Sequence, residues 1–254
     1  MTFALYPSLA DKVVLVTGGA SGIGEDIVRA FAANHARVAF LDVQDEAGTA
    51  LVAALKDSRH EPLFIKCDLI DIAALQAAIA DVHKRLGPIG VLVNNAANDD
   101  RHAIEDVSVE YWDWSQAINL RPQFFAAQAV HPQMQALGGG SIINLSSITW
   151  RLGSEAMIAY GTAKSAVIGL TRTLGKAFGA DNIRVNAIEP GAVMTERQRT
   201  LWYKTEESVA AMVSRQALKK VLLGEEIART CLFLAADDSR MITRQSITVD
   251  AGIS

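Results

Sequence analysis

The sequence predicts a single doubly wound α/β domain, and three observations carry that expectation. Runs of apolar, β-branched residues recur along the whole chain, and segments of helical period lie between them. The 254 residues, half of them hydrophobic, suffice for one large core and stay within the range of one α/β domain. Strands that are apolar on both faces and alternate with amphipathic helices belong to a parallel sheet covered on both sides.

The elements follow in order. "KVVLVT" from Lys12 is the first strand, and the helix after it repeats Ile23, Ile27, Ala30 and Phe31 with helical period. "RVAFLD" from Arg37 and "PLFIKC" from Pro62 are the second and third strands. A helix marked by Leu75, Ala78, Ile79 and Val82 leads to "VLVNN" from Val91. "SIINLS" from Ser141, "IRVNAI" from Ile183 and "SITVD" from Ser246 complete a sheet of about seven strands. The polar, Arg-rich stretch at about 195–220, "TERQRTLWYKTEES" and onward, reads either as a lid over a cleft or as a helical excursion. No repeat or linker divides residues 1–254.

Composition excludes several function classes. A net charge of -4 with both signs interspersed argues against nucleic-acid or anionic-membrane binding, which leaves a diffusible small molecule as the expected partner. Cys67 and Cys231 make neither a disulfide framework nor a zinc site, and the five histidines lack metal-ligand spacing, so no metal is expected. A reducing compartment fits this cysteine usage. The start "MTFALYPSLADK" has no leader pattern, and no apolar run reaches the ~18 residues of a membrane span. The expected location is the cytoplasm.

Ligands of open α/β sheets bind outside the carboxyl ends of the strands. After the first strand, Gly18, Gly22 and Gly24 let the backbone approach a ligand, and the helix that opens there offers free N–H groups to a pyrophosphate. The spacing is G-x-x-x-G-x-G, not G-x-G-x-x-G. Asp42 ends the second strand, where a carboxylate accepts ribose hydroxyls and repels the extra phosphate of NADP, so NAD is the expected cofactor. Asp68, at the third strand end, is placed to bond the adenine edge.

The ordered motifs "TGGASGIG" at 17–24, "NNAA" at 94–97, Asn119 in "AINL", "NLSS" at 144–147, Tyr160 with Lys164, and "PGAVMT" at 190–195 resemble those of the short-chain dehydrogenases/reductases over nearly the whole chain. The resemblance implies a Rossmann-type domain, a homotetramer, and Asn119, Ser147, Tyr160 and Lys164 as catalytic residues. The chemistry explains the Tyr160–Lys164 pair: a phenol of pKa ~10 is a poor base at neutral pH, and a nearby ammonium favours its phenolate. One helical turn separates the two. By resemblance, Ser147 binds the reacting oxygen, Lys164 also bonds the nicotinamide ribose, and Asn119 holds a water of a proton relay. The resemblance further assigns Ser21, Ile23, Val43, Leu69, Asn95, Ala96, Ala97, Pro190, Gly191, Val193 and Thr195 to the cofactor. Ala97 stands where the family commonly has glycine, and Glu189 where a small or apolar residue is expected. Its carboxylate, beside the nicotinamide cleft, is expected to touch substrate or reach solvent.

Selectivity in this family lies in the loops, which are polar here. Asp99, Arg101 and Gln198 suit paired sugar hydroxyls, and Trp150 and Trp202 offer flat faces to a pyranose. "NAANDDRH", "SSITWRLG" and "TERQRTLWYKTEES" resemble the family's sugar 1-dehydrogenases. That implies oxidation of an aldose to the aldonolactone, with L-arabinose and D-galactose ahead of D-xylose. The small Ala192 hints at room for a C6 group. The alternatives are a reductase of a ketone or 3-oxoacyl group, for which Ala20 and Asp42 lack the usual basic residue, and an NAD-responsive regulatory protein.

Overall fold

A computed structural model describes residues 3–254. Seven strands form one parallel sheet: β1 (Val13–Thr17), β2 (Arg37–Asp42), β3 (Leu63–Lys66), β4 (Ile89–Asn94), β5 (Gly140–Leu145), β6 (Ile183–Pro190) and β7 (Ser246–Val249). Their spatial order is β3-β2-β1-β4-β5-β6-β7. The chain builds outward from β1 in one direction, then crosses back and builds in the other, which opens a crevice between the ends of β1 and β4.

The crossovers are α1 (Gly22–Ala33), α2 (Asp45–Ala54), α3 (Ile72–Leu86), α4 (Val109–Asn119), α5 (Arg121–Ala136), α6 (Thr149–Leu152), α7 (Ile158–Ala177), α8 (Glu196–Leu201), α9 (Glu206–Ser214) and α10 (Gly224–Ala235). Successive β1 residues feed opposite layers. Val14 and Val16 pack with Ile27, Phe31, Ile227 and Cys231 of α1 and α10, whereas Val13 and Leu15 pack with Ile79, Val82, Val130 and Met134 of α3 and α5. Burial on both faces is why the central strands read as continuous apolar runs. The edge strands β3 and β7 are only partly buried.

The stretch at about 195–220 is helical, as α8 and α9, and it also roofs the crevice. Met194, Val209 and Met212 form its own small core, with Tyr203 packed against them. Among the described residues no helix is long and apolar enough to cross a membrane, and no group of His, Cys, Asp and Glu is placed to hold a metal ion.

Candidate active site

The carboxyl ends of β1, β2, β4, β5 and β6 meet around one cleft of about 1350 Å³. At β1, Gly18 turns the chain with a φ of 65°, a region that favours glycine. A Cβ on Gly24 would lie 1.8 Å from the Gly18 carbonyl oxygen, so only glycine lets α1 start this close to the turn. Ser21 precedes α1 without capping it, because its hydroxyl instead accepts a bond from Gln44 Nε2 at 2.9 Å. The first amides of α1 therefore keep their donors for an anion. Gly22 and Ile23 line the same turn, and Gly22 faces the Thr195 methyl across the cleft. These groups fit a dinucleotide pyrophosphate.

Asp42 is 7 % exposed and lines the cleft with Val43. Its Oδ2 accepts from Ala20 N at 2.9 Å and its Oδ1 from Gln44 N at 3.1 Å. These bonds fix the carboxylate and leave acceptor capacity for hydroxyls. Gln44 is a site residue that strand-end reasoning missed; its one signal is its place two residues after Asp42. Asp68 and Leu69 line the cleft at the end of β3, and Asp68 Oδ1 accepts from Ile70 N at 2.9 Å. Asn95, Ala96 and Ala97 line it after β4, but the Asn95 amide donates to Thr17 O and Gly18 O at 3.0 and 2.8 Å. Asn95 thus braces the glycine turn, and Thr17, whose hydroxyl accepts from the Asn95 and Ala96 amides, is its unforeseen partner.

Ser147, Tyr160 and Lys164 share the cleft wall. Ser147 Oγ lies 2.8 Å from Thr149 Oγ1 and accepts from Thr149 N at 3.1 Å, so Thr149 sets its direction. Ser146 turns away and donates to Lys164 O at 2.6 Å. Lys164 is 1 % exposed; its Nζ donates to Leu145 O at 2.8 Å and lies 5.4 Å from the Tyr160 ring centroid.

The expected fall in the Tyr160 pKa is not what the protein groups produce. Burial raises the phenol above its ordinary value, the Asp99 charge raises it further, and a hydrogen bond with Ser147 opposes them. Burial also lowers Lys164 to about 7, against a smaller upward pull from Asp99. Sharing a helix face places the two groups together, but withdrawal from water disfavours both charged forms and outweighs their attraction. Positive charge brought into the cleft would draw the phenol back down.

Asn119, fully buried at the end of α4, lies behind the cleft wall. Its Oδ1 accepts from Asn98 N at 2.9 Å and its Nδ2 donates to Asn98 O at 3.1 Å, which pins the loop after β4.

Asp99, Arg101 and Gln198 line the cleft, and so do Ala192, Tyr203 and Arg197, of which the last two were not foreseen. Gln198 Nε2 donates to Asp99, and Arg197 bridges Asp99 at 3.2 Å and Asp100 at 2.6 Å. The roof is thereby clasped to the loop after β4. Two expected substrate contacts need correction. Trp150 does not line the cleft, because its Nε1 donates to Glu189 at 2.8 Å and Arg151 covers its ring at 4.8 Å. Trp202 also lies outside the lining, under the Arg101 guanidinium at 4.3 Å; the aromatic that faces the cleft is its neighbour Tyr203. Glu189 reaches neither substrate nor solvent. It is 0 % exposed and accepts the Arg151 fork at 2.7 and 2.8 Å, Trp150, and Ser246 Oγ. Burial pushes its carboxyl up, but these bonds together hold it below the usual range. Pro190, Gly191, Val193 and Thr195 follow it along the cleft rim, and Gly191 N bonds Val249 O at 2.9 Å.

A family profile described as "Enoyl-(Acyl carrier protein) reductase" matches residues 18–254. The protein named "Probable galactose dehydrogenase GalD", of Rhizobium meliloti (strain 1021), is 51% identical over 98% of this chain and 97% of its own length. The D-xylose 1-dehydrogenase of Caulobacter vibrioides (strain NA1000 / CB15N) is 45% identical over 99% of each. Among solved structures, a blue fluorescent protein from a metagenomic library in complex with NADPH superposes with a TM-score of 0.89 at 34% identity, covering 97% of this chain and 99% of that one.

Proposed function

The chain belongs to the short-chain dehydrogenase/reductase family, and on that premise we propose that it oxidises an aldose at C1 to the aldonolactone with NAD. The observation that carries this reading is the union, in one cleft, of Ser147, Tyr160 and Lys164 with the Asp99 carboxylate and the Gln198 amide. The first three suit alcohol oxidation; the last two suit sugar hydroxyls. The two relatives named for galactose and D-xylose point the same way.

The residues divide the work. Ser147 Oγ holds the C1 oxygen, and Tyr160 Oη takes the hydroxyl proton. Lys164 would bond the nicotinamide ribose and lend its charge to the phenolate, while Asn119, whose side-chain amide is taken up by the Asn98 backbone, serves by fixing the loop after β4. The glycine turn at 18–24 and Asp42 would hold NAD+, which would supply a hydride acceptor for C1 and a positive charge near the buried Tyr160. Asp99 accepts from ring hydroxyls while Arg197 keeps it oriented. L-arabinose and D-galactose lead among substrates, since they share configuration at C2 to C4, and D-xylose follows. Ala192 on the cleft wall favours room at C6. The same reading includes a homotetramer working in the cytoplasm, in keeping with two free, buried cysteines.

Initial rates of NADH formation with L-arabinose, D-galactose, D-xylose, D-glucose and a steroid alcohol test the proposal. Fast turnover of an aldose is expected; turnover of the steroid alone would overturn the sugar assignment. Asp42→Asn removes the charge that opposes a 2′-phosphate while keeping an acceptor for Ala20 N. The ratio of kcat/KM for NADP+ to that for NAD+ should rise on the order of 10- to 100-fold, as loss of one close charge repulsion implies. A wild-type enzyme that uses both cofactors equally would sink the role given to Asp42.

A further inference from the structure

Glu189 is a fully buried carboxylate on the central sheet that the oxidation itself does not use. Its four donors come from two other elements: Trp150 and the Arg151 fork from α6, and Ser246 from β7. Trp150 and Arg151 stand three and four residues after Ser147. Between them and Ser147 lies Thr149, whose backbone N–H and hydroxyl orient the Ser147 oxygen. The backbone of this loop is tied to β6 as well, through Ser146 N to Ile188 O at 2.8 Å and Ile148 N to Pro190 O at 3.1 Å. Glu189 therefore sits between the serine loop on one side and the Pro190–Gly191 turn on the other.

We propose that Glu189, acting through Arg151 and Trp150, is a positioning residue that sets the Ser147 hydroxyl against Tyr160 and holds the serine loop in register with the Pro190–Gly191 turn. The inference rests on the reading of Ser147 and Tyr160 as the alcohol-oxidising pair. An ion pair with its carboxylate fully buried is a poor device for stability alone, because the desolvation of the buried charge offsets much of the attraction. What a forked Arg–carboxylate pair supplies is direction, two parallel bonds that fix the planes of both groups. The remaining carboxylate capacity takes the indole N–H and the β7 hydroxyl, so three elements are locked at one point. Arg151 reaches Glu189 from the surface, with 43% of its side chain exposed. Its removal leaves the buried Glu189 carboxylate without a counter-charge, so the melting temperature is read beside the kinetics.

The test compares Arg151→Ala, Arg151→Lys and Glu189→Gln with the wild type. It reads kcat and KM on the best aldose of the panel, the NAD+ dissociation constant, and hydrogen–deuterium exchange of peptides spanning 146–153. Arg151→Ala should lower kcat by about 10-fold or more, since small misplacements of reacting groups carry losses of that order. The loss should fall mainly on kcat, with the sugar KM and the NAD+ dissociation constant changed less, because the glycine turn at 18–24 and Asp42 stand apart from the tether even though the Pro190–Gly191 turn adjoins it. Exchange at 146–153 should quicken while distant peptides are unchanged. Arg151→Lys, which keeps one charged donor, should fall between alanine and wild type. Glu189→Gln, which sets an amide against donors, should resemble Arg151→Ala if it folds.

Wild-type kcat in Arg151→Ala, or a lower kcat with unchanged exchange at 146–153, would overturn the proposal. So would a lysine variant no better than alanine. A wild type that oxidises no aldose defeats the functional reading, whereas the exchange data still report whether Glu189 tethers the serine loop.

Discussion

Tyr160→Phe should cut aldose oxidation by on the order of 10³-fold, within the range expected for removing a general acid–base group. The substitution deletes one oxygen and keeps the ring that Lys164 faces. Binding of NAD+, followed by titration, should therefore persist, and the melting temperature should hardly move. The pH dependence carries the sharper information. Burial and Asp99 keep the phenol protonated past its ordinary range, so added positive charge must draw its pKa down before it can act as base. Wild-type kcat/KM should rise with pH as the phenol ionises in the loaded enzyme, and that rise should be absent in Tyr160→Phe. A variant that keeps even a tenth of wild-type turnover would remove Tyr160 from the mechanism.

Lys164→Met should lose activity by on the order of 10²- to 10³-fold, as expected when a preorganised charge is taken from a site, and should gain stability at neutral pH. Lys164 is buried without a carboxylate partner, and its folded-state pKa of about 7 lies below its unfolded value. Between about 7 and the ordinary lysine value the unfolded chain binds the extra proton, so this residue makes stability rise with pH across that window. Its destabilising effect is complete below about 7 and gone once both states are neutral. Above the ordinary tyrosine value the raised Tyr160 acts the other way, since the folded state then holds the proton that the unfolded chain has lost. The melting difference between Lys164→Met and wild type isolates the lysine. It should be positive at pH 7 and shrink towards pH 10. A variant that is active, or that melts lower by the same amount at every pH, would contradict this account.

Much of the site was legible because its signals are local. Gly18 and Gly22 mark a turn at positive φ, Gly24 a position that a Cβ cannot share with the Gly18 carbonyl, and Tyr160 and Lys164 share a face through helical spacing alone. Asp42 and Asp68 were identified by standing at strand ends. The neighbours of these residues were not legible. Ala20 on Asp42, Thr17 beneath Asn95, and the Asn98 backbone on Asn119 join segments 21 to 78 residues apart that meet only after the sheet assembles, whereas Gln44 bonds Asp42 locally but carries no motif of its own. Trp150 and Trp202 were expected to flank a sugar because an aromatic in a polar loop has no pattern to say where it points. Each instead found a charged partner, Arg151 and Arg101.

From the chain alone come the parallel sheet and its two apolar layers, encoded in periods of a few residues, and the glycine turn and Tyr160–Lys164 pair that the proposed function uses. Tertiary structure alone decided how charge is disposed around them. Glu189 meets residues 38 and 39 positions earlier in sequence and Ser246 a further 57 positions on, and Arg197 meets Asp99 across 98. Such partners are chosen by the order and register of β1, β4, β5, β6 and β7. The same holds for the Tyr160–Lys164 pair: spacing puts an ammonium beside a phenol, but the depth at which the fold buries them decides that Lys164 loses, and Tyr160 keeps, its proton more readily than either would in water.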